Sequence, residues 1–245
     1  VTDDARRETL ARLRRSTRGA PEAVVREELA ALPRPPAAIP LATDPALAFL
    51  GRVLENGGSI AVAQDRRGAV DAIGEYLARR HGQRRLVAGH DERLAALPWR
   101  DGGVLPRFGV VEPSDAVAVS YARCAVSESG SVLLWRDRDN PASNNLLPED
   151  HIVLVDSATL VPRLEDCWDR ATLADPALRP RGMMLISGPS ATADIALNMV
   201  TGAHGPRCWH VVLIGAGLDP TLARRAQELA AGPGPGKADG AGGAA

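Results

Sequence analysis

The apolar run Met183-Met184-Leu185-Ile186 leads into Ser187-Gly188-Pro189-Ser190-Ala191-Thr192-Ala193-Asp194, a loop of small, hydroxyl-bearing residues followed by what reads as the first turn of a helix. At such a place free backbone amides and the positive end of a helix dipole attract a carboxylate or a phosphate. Ser187, Gly188, Ser190 and Thr192 are therefore candidate ligand-binding residues, although a plain helix cap at Ser190 or Thr192 accounts for the same residues equally well. Asp194 is a candidate acid, and its position is explained as well by attraction of a carboxylate to the helix N-terminus. Downstream, Gly202-Ala203-His204-Gly205-Pro206 is a tight loop that displays one imidazole. His204 is able to act there as acid, base or hydrogen-bond donor near neutral pH, with Gly205 beside it in the binding loop. Upstream, the turn Ser127-Glu128-Ser129-Gly130 offers a carboxylate between two β-like runs, and Glu128 reads as a nucleophile, a base or a solvated acid. Asn140-Pro141-Ala142-Ser143-Asn144-Asn145 reads as a mobile loop over a cleft or as a connection.

Other chemistry is disfavoured. Cys124, Cys167 and Cys208 are far apart and form no CxxC pair, so neither a zinc or iron–sulfur ligand set nor a disulfide framework is expected. His204, Cys208 and His210 match no zinc spacing, and no cofactor is expected. With 29 basic and 30 acidic residues and a net charge of −1, nothing in the overall charge attracts nucleic acid. No uncharged apolar run approaches the ~18 residues of a membrane span. Val1 to Arg18 lacks the apolar core of a secretory signal, so a cytoplasmic setting is expected.

These residues need a scaffold. Residues 1–36 read as an N-terminal arm of two charged helices divided at Gly19-Ala20-Pro21 and closed by the linker Pro33-Arg34-Pro35-Pro36. Residues 37–231 alternate helices with short apolar strands, the pattern of an α/β domain with a mostly parallel sheet. Helices are predicted over 45–55, 67–80, 91–97, 159–170 and 219–229. Strands are predicted over 59–63, 85–88, 116–121, 131–135, 151–155, 183–186 and 209–214. Residues 232–245, almost all Gly, Pro and Ala, have nothing to bury and read as a disordered tail. In an open parallel sheet, ligand groups gather beyond the carboxyl ends of the strands. Glu128, Ser187, Ser190, Asp194 and His204 are thus expected to converge there.

The combination of Ser187-Gly188-Pro189-Ser190 and Thr192-Ala193-Asp194-Ile195 with Gly202-x-His204-Gly205-Pro206 resembles the C-terminal signature of the lactate-utilisation (LUD-domain) family. Ser127-Glu128-Ser129-Gly130-Ser131 is similar to that family's Ala-Glu-Thr-Gly-Thr turn, and Leu147-Pro148-x-x-His151-Ile152 to its connecting strand. The resemblance, from roughly Gly57 to Gly215, implies a three-layer α/β/α fold related to glucosamine-phosphate deaminase, ribose-phosphate isomerase and CoA-transferase domains. It also implies a part in oxidising L-lactate to pyruvate beside iron–sulfur and cysteine-rich subunits. Ala191 stands where the family usually carries a basic residue, which removes a charge beside any bound anion, and Ala196 stands where Glu is frequent. Two alternatives share the fold. One is a CoA-transferase-like acyl transfer through Glu128, whose turn is similar to the Ser-Glu-Asn-Gly element of that class. The other is a regulator that binds a sugar phosphate or other small anion at Ser187–Ser190.

Overall fold

The structure is a computed structural model that describes residues 3–16, 19, 21–32, 43–170, 180–193 and 199–232. The proline linker, the tail beyond Gly232 and the candidate acid Asp194 lie outside the described residues. The chain divides into Val1–Pro40 and Leu41–Ala245. In the first unit, α1 (Asp3–Ser16) and α2 (Glu22–Ala31) carry exposed ion pairs one turn apart, Arg7–Asp4 and Arg26–Glu22, a modest support for a helix.

The second unit opens with α3 (Pro45–Glu55), where Asp44 Oδ1 accepts from the Leu47 amide and Pro45 takes the first helical position. Both features start a helix without disturbing its ladder. Next come β1 (Ser59–Ala63) and α4 (Arg66–His81). Asp65 caps α4, which ends on Gly82 at φ +64, a left-handed conformation that glycine adopts without penalty. The chain continues through β2 (Arg85–Ala88), α5 (Glu92–Ala95), β3 (Leu105–Phe108) and β4 (Val117–Tyr121). After these come β5 (Cys124–Val126), β6 (Ser131–Arg136), α6 (Ala142–Leu146) and β7 (Asp150–Asp156). The last part holds β8 (Leu160–Val161), α7 (Leu164–Arg170), β9 (Gly182–Ile186), β10 (Ala191–Ala193), β11 (Met199–Thr201), β12 (Cys208–Ile214) and α8 (Leu222–Ala231).

Six strands form a parallel sheet in the order β1-β12-β7-β4-β2-β3. The neighbouring inner strands β7 and β12 are almost wholly buried and carry the apolar runs Ile152–Val155 and Val211–Ile214, as expected of strands covered on both faces. On one face Val119, Ile152, Leu154 and Val212 pack with Val70, Ile73 and Leu77 of α4. On the other, Val153, Val155, Val211 and Leu213 pack with Phe49, Leu50 and Val53 of α3 and with Leu222 and Ala226 of α8. The expected α/β architecture with a mostly parallel central sheet is therefore what the chain adopts.

Three expectations are corrected. The run 183–186 joins a second, mixed sheet, β8-β5-β6-β9, in which β9 is antiparallel to β6. Its residues alternate, Met183 and Leu185 exposed and Met184 and Ile186 half-buried, the signature of a strand with one face toward solvent. The helix start expected at Ser190–Thr192 is instead β10, hairpinned to β11 with Thr192 opposite Val200. β-branched residues favour that pairing, and among the described residues no helix starts at the loop. Finally, Cys124 and Cys167, 43 residues apart, form a buried disulfide with Cα atoms 6.5 Å apart. Sequence separation concealed the pair, because β8 lies parallel to β5 and brings α7 back over it.

A buried carboxylate fixes the amino end of β7. Asp150 Oδ2 accepts from Tyr76 Oη at 2.7 Å, Arg80 Nε at 2.6 Å and His81 Nε2 at 2.9 Å, all on α4. Burial alone would raise its pKa, but these hydrogen bonds outweigh that effect and hold it below the usual carboxylate range. Tyr76 also stacks on His210, with ring centroids 4.2 Å apart.

Candidate functional site

A cavity of about 230 Å³ lies on the α3/α8 face of the parallel sheet, where the connections entering β7 and β12 meet the loop that leaves β9. Ser187, Gly188 and Ser190 line it together with His204 and Gly205, so five sequence candidates share one site. Its floor is formed by His151 and Trp209, the second residues of β7 and β12, directly paired in the sheet. Asn145, from α6, closes one side, and Leu185, Ile186 and Pro206 add apolar wall. The site thus sits at the amino ends of β7 and β12, not at the carboxyl ends as expected. The chain brings its polar groups in through the segments that precede β7 and β12, and these meet the β9 loop.

The loop is held from several directions. Ser190 N donates to Pro206 O, and Gly202 N donates to Ser190 O, which ties it to the His204 loop. A Cβ on Gly188, at φ +156, would come within 2.7 Å of Asn56 O, and one on Gly205 within 3.0 Å of Ser190 Cβ. Gly188 is therefore explained first by packing against backbone, and Gly205 by close approach of the Ser190 side chain. Ser187 Oγ lies 2.6 Å from Ser131 Oγ, which lies 2.8 Å from Ser129 Oγ, a chain of hydroxyls running from the Ser127–Ser131 turn to the cavity.

Glu128 does not line the cavity. Its Oε1 accepts from Leu164 N at 2.8 Å, satisfying a free amide at the start of α7 as a helix cap does. Thr192 is exposed on β10 and does not line the cavity either. Among the described residues, no three His, Cys, Asp or Glu side chains are grouped so as to hold a metal ion.

Sequence reasoning missed Asn145, His151 and Trp209. His151 is fully buried, and burial pushes its pKa down to about 3, so it is neutral. The Ser120 hydroxyl donates to Asn145 Oδ1, which leaves its oxygen to accept from His151 Nε2 at 3.1 Å. Nε2 therefore carries the imidazole proton and Nδ1 presents a lone pair. The polar His151 at the head of an apolar run is visible in the sequence, whereas its pairing with Trp209 depends on the register between β7 and β12, which is not.

Residues 115–214, which supply every side chain around the cavity, match the family described as LUD domain. The resemblance read from the Ser127–Ser131 and Ser187–Pro206 motifs holds over this segment. The chain is 31% identical over 146 residues to Lactate utilization protein C of Exiguobacterium, covering 56% of this chain and 63% of that protein. It is 30% identical over 151 residues to Lactate utilization protein C of Macrococcus caseolyticus, covering 56% of this chain and 65% of the relative. The chain thus matches less than two thirds of the length of these relatives. A crystal structure of a DUF162 family protein from Deinococcus radiodurans shares the fold, with a TM-score of 0.52 at 21% identity, over 72% of this chain and 100% of that one. Among the described residues no helix is long and apolar enough to cross a membrane.

Proposed function

We propose that this chain acts in lactate utilisation as a subunit that holds a small anion, a carboxylate or a phosphate, in the cavity between Ser187–Ser190, His204 and the β7–β12 floor. Partner subunits, one rich in cysteine and one with iron–sulfur clusters, carry the electrons when L-lactate is oxidised to pyruvate. One observation carries this assignment: in a chain similar to proteins named for lactate utilisation, the segment that matches the LUD domain is the segment that builds the cavity. Ser187, Gly188, Ser190 and Gly205 shape the binding loop, and His204, exposed at its rim, donates to the ligand or exchanges a proton with it.

The test is genetic. Deleting the gene for this chain from its host is expected to abolish growth on L-lactate as sole carbon source and to leave growth on pyruvate unchanged. Equal growth of deletion and parent on both would overturn the proposal.

A further inference from the structure

Three polar atoms on side chains that line the cavity have no hydrogen-bond partner among the described residues: Asn145 Nδ2, His151 Nδ1 and Trp209 Nε1. These side chains belong to residues that are 1%, 1% and 2% exposed, and they come from three different elements, α6, β7 and β12. Leaving one such group buried and unmet costs about 1–3 kcal/mol, and native interiors meet nearly all of them. Three of the seven such atoms among the described residues belong to residues around this one cavity, and a small-molecule site sets a few polar groups of this kind in an apolar wall.

We propose that Asn145, His151 and Trp209 form the recognition wall of this cavity and that they read a carboxylate with a hydroxyl beside it, the grouping found in a short 2-hydroxy acid. This deepens, and rests on, the reading of the cavity as a small-anion site. The Asn145 amide and the Trp209 indole offer only N–H donors to the ligand, which suits the oxygens of a carboxylate. The neutral His151 ring offers a lone pair at Nδ1, which requires a donor, and a hydroxyl next to the carboxylate supplies it. Inorganic phosphate as the dianion keeps one P–OH donor beside its acceptors, so its charge and not its hydrogen bonding is what disfavours it. It would place two charges in a site that, among the described residues, no Lys or Arg lines and where Ala191 adds none, a poor exchange for its hydration. Leu185, Ile186 and Pro206 leave an apolar surface for a short alkyl group, and 230 Å³ lies below the range typical of larger organic ligands.

Binding is measured on the full-length chain by titration calorimetry and by the indole N–H resonance of Trp209, with L-lactate, pyruvate and inorganic phosphate as probes. L-Lactate is expected to bind and to shift that resonance. Pyruvate keeps the carboxylate but lacks the hydroxyl, leaves His151 Nδ1 unmet, and is expected to bind about 10-fold more weakly or worse. Phosphate is expected not to compete. Trp209→Phe retains most of the ring and removes the N–H, and is expected to weaken L-lactate binding about 5- to 10-fold. Asn145→Leu removes the amide and is expected to weaken it further. Because it also strips Ser120 of its acceptor, its fold is checked by circular dichroism, and Trp209→Phe decides the matter if it does not fold. Phosphate binding as tight as L-lactate, or unchanged L-lactate affinity in folded Trp209→Phe, would overturn the inference. So would no binding of any probe. No binding together with a lactate-growth defect in the deletion strain would overturn the recognition wall and leave the lactate-utilisation reading standing. Lactate binding without a growth defect would support the wall and overturn that role.

Discussion

Asp150→Ala is expected to lower the folding free energy by about 3 kcal/mol, near the bottom of the 3–5 kcal/mol seen when one partner is removed from a buried ion pair. Asp150 is fully buried at the first position of a central strand, and three donors of α4 meet on its Oδ2. Without it the Tyr76 hydroxyl loses its acceptor in the core, while the Arg80 side chain, 40% exposed, regains water and limits the loss. For a domain of this size the thermal midpoint should fall by roughly 6–12 °C, with Asp150→Asn, which keeps an acceptor and the volume, falling less. A midpoint within a degree of the parent's would mean that the cluster holds nothing together. The same residues set the pH response. Asp150 has a depressed pKa when folded, so its stabilisation is present above the ordinary carboxylate pKa of about 4 and is lost as pH falls below it. His151 and His210 are held neutral by burial, with pKa values pushed down to about 3 and about 4. The unfolded chain takes up protons at both from about pH 6.5 downward and the native chain does not. Stability should therefore fall steadily from pH 7 to pH 4, and a flat profile over that range would contradict the burial of these rings.

Gly130→Ala is expected to destabilise the protein by about 2–6 kcal/mol, from backbone strain and overpacking together. Gly130 has φ +69, and a Cβ there would come within 2.7 Å of Arg52 Cβ and 2.8 Å of the Arg52 and Val53 backbone. Those are atoms of a buried helix that cannot swing aside. The turn also carries Ser129 and Ser131, the first links of the hydroxyl chain to Ser187, so displacing it should disturb the cavity loop as well. Chemical denaturation reads the loss, and a change below 1 kcal/mol would show that the turn yields. The Ser127–Ser131 motif, read from the sequence as a possible catalytic carboxylate, is thus accounted for by three structural tasks: packing on α3, capping α7 and bracing Ser187.

What local chemistry dictates was legible. Asp44-Pro45 starts α3, and the apolar runs predicted over 59–63, 85–88 and 209–214 form strands. The residues at 187–190 and 204–205 share a cavity. What depends on partners distant in sequence was not. Whether Met183–Ile186 joins the parallel sheet or pairs with β6 is settled by which neighbour covers its half-buried face. Cys124 and Cys167 meet only because β8 lies alongside β5. Asn145 reads as a loop residue until α6 packs, with Asn144 Oδ1 accepting from Val111 N and its Nδ2 donating to Gly109 O. His151 and Trp209 become neighbours only through the register of β7 with β12. The expected carboxyl-end site failed for the same kind of reason, since a general rule for open sheets gave way to the particular routes by which the chain enters two strands.

The central claim is that function resides in the cavity at the amino ends of β7 and β12 and not at Glu128. It is tested most directly by growth on L-lactate of the deletion strain carrying single-residue variants at matched expression. Glu128→Gln keeps an oxygen able to accept from Leu164 N and should restore growth as the parent chain does, whereas folded Trp209→Phe and Asn145→Leu should restore it poorly or not at all. Full growth with both cavity variants, and none with Glu128→Gln, would contradict the account and point instead to acyl transfer through the Glu128 carboxylate.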